Sequence, residues 1–279
     1  MSLQRRLFYA IPPDLRFWVR RLWYFPHDLV FHYLNPSRSL MPPKGLIFVG
    51  SGDFIGQGER FLKHFIQLGG LQPEHQVLDI GCGIGRMAIP LTRYLDPASG
   101  RYEGFDIMPV GINWCQQHIS ANHANFRFRL VSLYNDLYKT DAAEDGRNFR
   151  FPYNSNQFNF SFLTSVFTHM LPEETENYLK EISRVSKKGG HCFVTFFVLD
   201  AAAEKQIKEN KASFDFSYDM GDYRLLDLHA KAGNVAYKID WLQQRLQLAG
   251  LEVKAFYPGS WRGTPDSVDF QDIFVLEKV

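Results

Sequence analysis

Two glycine-rich stretches carry the most specific chemical signal in the chain. Asp79-Ile80-Gly81-Cys82-Gly83-Ile84-Gly85 follows Gln76-Val77-Leu78, and Gly50-Ser51-Gly52-Asp53-Phe54-Ile55-Gly56-Gln57-Gly58 follows Leu46-Ile47-Phe48-Val49. A strand running into a glycine turn and then a helix brings backbone N–H groups close to a nucleotide-like ligand. An acid at the tip of the next strand then takes the ribose hydroxyls. After Asp79–Gly85 the next strand, Tyr102-Glu103-Gly104-Phe105-Asp106, ends on Asp106; after the earlier stretch it is Val77–Ile80, with Asp79 near its end. Spacing alone leaves both open. The acid-first pattern D-x-G-x-G-x-G and the unbroken strand, helix and acid-tipped strand that follow favour Asp79–Gly85, since the other choice gives Asp79 two incompatible tasks.

The elements that must position these residues follow from apolar periodicity. Strands are expected at 76–80, 101–106, 126–131, 158–164, 191–199, 251–257 and 269–277, with helices at 59–68, 86–94, 110–121, 173–185 and 239–248. Strands separated by helices call for a mostly parallel sheet with helices on both faces, a Rossmann-like α/β fold of about seven strands. The last two strands have no helix between them and are expected to form an antiparallel hairpin at one edge. The chain reads as one core, 59–279, preceded by an aromatic and basic segment and lid loop, 1–58, and carrying an insert near 200–238.

Composition narrows the classes. Lys+Arg total 31 against 30 Asp+Glu, so no global field draws polyanions, and no nucleic-acid partner is expected. Cys82, Cys115 and Cys192 lie far apart with no metal-ligand spacing, which fits a reducing cytoplasm. No apolar run approaches the ~18 residues of a membrane span. In residues 1–45, Arg5, Arg6, Arg16, Arg20 and Arg21 alternate with Phe8, Tyr9, Phe17, Trp18, Trp23, Tyr24 and Phe25. That mixture suits a helix at a membrane interface, giving a peripheral membrane contact. Pro12, Pro13 and Pro26 are expected to cut it into short helices, which instead favours aromatics packed on the core or a homodimer contact.

VLDIGCGIGRMAIPL (77–91), YEGFDI (102–107), FNFSFLTSVFTHML (158–171) and EISRVSKKGGHCFVTFF (181–197) occur in that order. Together they resemble the class I S-adenosylmethionine-dependent methyltransferases, more narrowly a bacterial group acting on small molecules. The resemblance covers roughly residues 60–279. It implies a seven-stranded sheet with its last strand antiparallel and S-adenosylmethionine as cofactor. It puts Asp79, Gly81 and Gly83 around the methionine and sugar, Asp106 on the ribose hydroxyls, Ile107 beside the adenine, and Thr164 and Ser165 on the methionine side. Two positions depart from the family pattern. Ser132 offers only a hydroxyl where relatives often carry an acid for the adenine amino group, and Phe158-Asn159 replaces a frequent Phe-Asp.

Methyl transfer from a sulfonium is an in-line displacement, so holding nucleophile, methyl and sulfur collinear supplies roughly 7–11 kcal/mol. A base is needed only where the acceptor must lose a proton, as a hydroxyl must. His169, after the fourth strand, is the first candidate and His229 the second; each has an ordinary structural alternative in capping or packing. Thr164, Ser165 and Thr168 stand where metal-dependent relatives gather carboxylates, so no metal is expected. The insert's Phe214, Phe216, Tyr218, Tyr223 and Tyr237 are expected to cover a small-molecule acceptor or to pack on themselves. Gly50–Gly58 is expected to form a lid, with Asp53 reaching the cofactor ammonium and Phe54 closing over the methyl; the alternative is a plain helix-capping turn. The expected activity is methylation of a natural product, sugar or lipid-linked acceptor, more at oxygen than nitrogen. A non-catalytic scaffold that kept the fold is the alternative.

Overall fold

A computed structural model describes residues 13–34, 40–48, 52–133, 145–228, 233–264 and 267–279. Helix α1 (Pro13–Leu34) opens on a proline, which is tolerated at the first helical position. It continues through Pro26 as one 22-residue helix, against the expectation of short pieces. Contacts on both sides of Pro26 hold it. The Asp28 carboxylate accepts the Lys44 and Gly45 N–H groups at 2.8 and 2.9 Å, and Arg20 Nε donates to the Lys44 carbonyl at 3.2 Å.

The chain then forms α2 (Phe54–Gln67), β1 (Gln76–Ile80), α3 (Ala88–Tyr94), β2 (Arg101–Asp106), α4 (Pro109–Cys115), β3 (Phe126–Leu130), β4 (Phe158–Leu163), α5 (Pro172–Val185) and β5 (Ser186–Phe196). After β5 come β6 (Val198–Leu199), α6 (Ala201–Lys208), β7 (Tyr218–Asp219), β8 (Tyr223–Leu225), β9 (Val235–Lys238), α7 (Ile239–Leu248), β10 (Leu251–Tyr257) and β11 (Asp272–Lys278). The main sheet has the order β10-β11-β5-β4-β1-β2-β3. Strands β1 to β5 pair in parallel, and β11 runs antiparallel to both β5 and β10. The fold is therefore the expected Rossmann-like α/β sheet. The hairpin's second strand lies against β5 and its first takes the edge.

Apolar runs such as Val77-Leu78 are buried because helices cover both faces. One core cluster joins the sheet to α5 and α7 through Leu179, Ile182, Leu242 and Leu246. The other joins it to α2, α3 and α4 through Phe65, Leu91 and Ile112. Phe65 lies 4.4 Å from Phe162 and 5.1 Å from Phe193, centroid to centroid, which locks α2 onto β4 and β5. Residues 198–238 build a second sheet, β6-β9-β8-β7, that the periodicity did not reveal, because strands of two to four residues show no repeat.

Candidate functional site

Strand β1 pairs with β2 on one side and with β4 on the other. The chain winds outward from β1 in one direction and returns in the other, so the carboxyl ends of β1 and β4 part and leave a crevice. A cavity of about 590 Å³ occupies it, within the ~300–1,000 Å³ range of small-molecule sites. Asp79, Gly81 and Gly83 line it from β1, Asp106 and Ile107 from β2, and Thr164, Ser165 and His169 from β4.

The glycine turn is built as the spacing requires. Gly81, Gly83 and Gly85 have φ of 82°, 56° and 81°, in the left-handed region where a side chain is strained. The Gly83 N–H donates to Asp106 Oδ2 at 2.8 Å, and the Met108 N–H donates to Asp106 Oδ1 at 2.8 Å. One carboxylate thus fixes the turn after β1 against the end of β2. Burial raises the Asp106 pKa, and the N–H donors of Met108 and Gly83 work against that shift. Asp79 accepts from the Tyr102 hydroxyl at 2.6 Å, yet burial pushes its pKa up to about 8, with Asp106 adding repulsion. Neither carboxylate makes an ion pair among the described residues.

Across the cavity, Ser165 is a non-glycine residue at φ 59°. That conformation costs ~1–2 kcal/mol. The Ser165 N–H donates to Thr195 Oγ1 at 2.8 Å and its hydroxyl to Gln271 Oε1 at 3.0 Å, which hold it there. His169 is half-buried on the 3₁₀ turn Phe167–His169. Phe167 stacks on Phe196 at 4.6 Å, and the Tyr237 hydroxyl donates to the Met170 carbonyl at 2.6 Å, so both ends of the turn are anchored. The third wall comes from α2, through Gln57, Arg60 and Phe61, and from Asp269 and Gln271. Arg60 Nε donates to Asp269 at 3.0 Å. Burial raises the Asp269 pKa, but bonds from His64 and the Phe270 N–H, with the Arg60 charge, bring it below its ordinary value.

Residues 78–194 match a methyltransferase domain. The matched stretch contains the last three residues of β1, all of β2 to β4 and most of β5, with the glycine turn, Asp106 and His169. The chain is similar to the phthiotriol/phenolphthiotriol dimycocerosates methyltransferase of Mycobacterium leprae (strain TN), 27 % identical over 180 residues. That match spans 62 % of this chain and 58 % of the relative's own length. Magnesium protoporphyrin IX methyltransferase from Synechocystis PCC 6803, solved with bound SAH, shares the fold at a TM-score of 0.52 and 15 % identity, over 84 % of this chain and 91 % of that one. A 4+2 cyclase shares it at a TM-score of 0.50 and 18 % identity, over 80 % and 81 %. Fold alone therefore does not name the reaction, and the assignment rests on the domain match.

The methyltransferase domain gathers Asp79, Gly81, Gly83, Asp106, Ile107, Thr164, Ser165 and His169 around one space. Three other expected residues lie elsewhere. Asp53 is exposed at the N-cap of α2, and Phe54 is buried in the core beneath the Arg86 guanidinium, 5.0 Å from its ring. The helix starts five residues earlier than expected, so Gln57, Arg60 and Phe61 face the cavity instead. Gly58 serves close packing: a Cβ there would lie 2.6 Å from the Arg86 carbonyl oxygen. Ser132 is exposed and its neighbour Leu133 lines the cavity, a one-residue shift that reverses the facing side chain. His229 lies outside the described residues.

The described residues of 200–238 contribute nothing to the cavity wall. Phe216 and Tyr237 are fully buried, and Phe197, Phe214, Phe216 and Trp261 form a separate core. The insert is aromatic because it needs that core, and through Tyr237 it buttresses the His169 turn. Asn159 stands at the opposite end of β1 from the glycine turn. It accepts from the Gln76 N–H and from Lys187 Nζ, each at 3.1 Å.

Proposed function

We propose that this chain transfers a methyl group from S-adenosylmethionine to a hydroxyl of a small or lipid-like acceptor. The observation that carries this reading is the Asp106 carboxylate, which ties the glycine turn to β2 while lining the cavity. Each of its oxygens accepts one N–H and keeps a lone pair for a ribose hydroxyl. Asp79 offers a carboxylate to the cofactor's cationic end. When bound, S-adenosylmethionine supplies a methyl group activated by its sulfonium.

The chain's own residues do the remainder. Ile107, Phe61 and Met170 supply apolar wall that excludes water, and Ser165, fixed by Thr195 and Gln271, shapes the floor. His169 takes the proton of the acceptor hydroxyl, a role that contributes typically 10²–10⁴-fold. The acceptor enters between α2 and residues 269–271. The relative's name, a methyltransferase for phthiotriol, an alcohol, supports oxygen as the acceptor atom.

Calorimetric titration with S-adenosylhomocysteine tests the site. The expected result is binding that weakens at least about tenfold, ~1.4 kcal/mol, in Asp106→Ala. Unchanged affinity in that variant overturns the assignment. Transfer of labelled methyl to a panel of alcohols is expected to fall about 10²-fold or more in His169→Gln with cofactor affinity intact. An equal rate removes His169 from its role.

A further inference from the structure

Helix α1 is turned with its polar side toward the protein. Arg20, Tyr24 and Asp28, spaced four apart, form a half-buried line in which Arg20 and Asp28 meet Lys44 and Gly45 and Tyr24 lies under the Arg20 guanidinium. Trp18, Leu22, Phe25 and Leu29, at i, i+4, i+7 and i+11, make a second line on another side, flanked by Val19, Trp23 and Val30. All seven of these apolar side chains are 56–78 % exposed. A contiguous apolar surface of this kind marks a contact with something apolar.

Charge identifies the occupant. Residues 1–45 hold seven of the chain's basic side chains against two acidic ones, and the remaining 234 residues hold 24 against 28. The sequence segment that carries the exposed aromatic face is thus net basic, and the rest of the chain is net negative. We infer that α1 docks the protein on an anionic lipid bilayer, lying in the interface plane with Trp18, Leu22, Phe25 and Leu29 among the acyl chains and the exposed Arg21 at the headgroups. Trp, Phe and Leu on one face with Arg on the other is the composition of interfacial helices. Basic residues near an anionic surface add to the attraction. No helix among the described residues is long and apolar enough to cross a membrane, which leaves lying on the surface as the geometry.

Placement gives the contact a consequence. Lys44 and Gly45, which α1 grips, lie only a few residues before Phe48, and Phe48 lines the cavity. The docked helix therefore sets the methyltransferase cavity close to the bilayer, where an apolar acceptor would be dissolved.

Flotation of the full chain with vesicles of phosphatidylglycerol and phosphatidylcholine in equal parts tests this, without cofactor or acceptor, so the outcome is independent of the methylation reading. Expected are co-flotation, a blue shift of Trp18 and Trp23 emission, and a partition lowered by salt. Leu22→Glu/Phe25→Glu is expected to lower the partition at least about tenfold. These side chains are exposed, so thermal melting of the variant should match the wild type; Trp23→Glu is the second variant if it does not. A protein that stays in the soluble fraction, or a double variant that floats as well as the wild type, overturns the inference. A dimer in sedimentation equilibrium that the double variant breaks, with no flotation, overturns it too and assigns the face to a second copy.

Discussion

Two buried carboxylate centres in this protein are built on opposite principles. Asp272, at the start of β11, is fully buried and surrounded by donors: Arg262 Nε at 2.6 Å, Trp261 Nε1 at 2.9 Å, and the Val198 and Gly259 N–H groups at 2.8 Å. Arg262 also donates to Asp200 at 2.7 Å and to the Val198 carbonyl at 3.1 Å. Burial pushes the Asp272 carboxyl up and Arg262 opposes it; Asp272 and Asp200 in turn hold the guanidinium charged against its own burial. Every polar atom is answered from within, and the network staples β6 of the small sheet to the hairpin. Asp79 and Asp106 are as deeply placed but receive only neutral donors, Tyr102 and two backbone amides. A buried charge without a counter-charge is unfavourable unless something arriving from outside supplies it. Asp272 is thus compensated within the fold, whereas Asp79 and Asp106, which line the cavity, receive no counter-charge among the described residues.

The sharpest way to break this contrast is Asp272→Ala. It removes the fully buried partner of Arg262, leaving Asp200 as its one carboxylate among the described residues, and should cost about 3–5 kcal/mol in urea unfolding. Asp106→Ala leaves two amides without an acceptor and should cost less, about 1–3 kcal/mol, while abolishing most cofactor affinity. If the two variants unfold alike, the distinction fails.

The next test is pH. Asp79 ionises near 3.8 when unfolded and near 8 when folded, so folding takes up a proton between those values. Stability should therefore fall as pH climbs from about 4 to about 8, by at most ~1.4 kcal/mol per unit, and level off above. Asp79→Asn should lose that slope. A cationic ligand favours the ionised form, so affinity for S-adenosylmethionine should rise over the same window in the wild type and not in the variant. A flat wild-type profile would mean that Asp79 is ionised throughout. The smallest effect is expected from Tyr102→Phe. Removing the one side-chain donor to Asp79 among the described residues should cost about 1 kcal/mol and move the midpoint of the pH profile upward.

How much of this could be read in advance depends on contact range. Strands β1 and β2 lie where apolar runs ended by Asp79 and Asp106 place them, and the glycines after Asp79 adopt the positive φ that their spacing implies. These are local requirements, written in neighbouring residues. Phe54 and Ser132 were misplaced because each depends on phase: the residue at which α2 begins, and the parity with which the chain leaves β3. Arg60 meets Asp269 across 209 residues and Ser165 meets Gln271 across 106, so no window of sequence contains either pair. Phe216 and Tyr237 read in sequence as material for covering a ligand, since an aromatic that packs a small core is spelled the same way as one that lines a pocket.

By itself, then, the sequence determined the parallel α/β sheet, the glycine turn and the acid at the tip of β2, because backbone conformation and strand period are decided by adjacent residues. Tertiary structure alone decided the third wall of the cavity, the support of the His169 turn by Tyr237, the Asp272 network, and the outward aspect of α1. Each of those depends on where a distant segment comes to rest, and that is set by packing over the whole core.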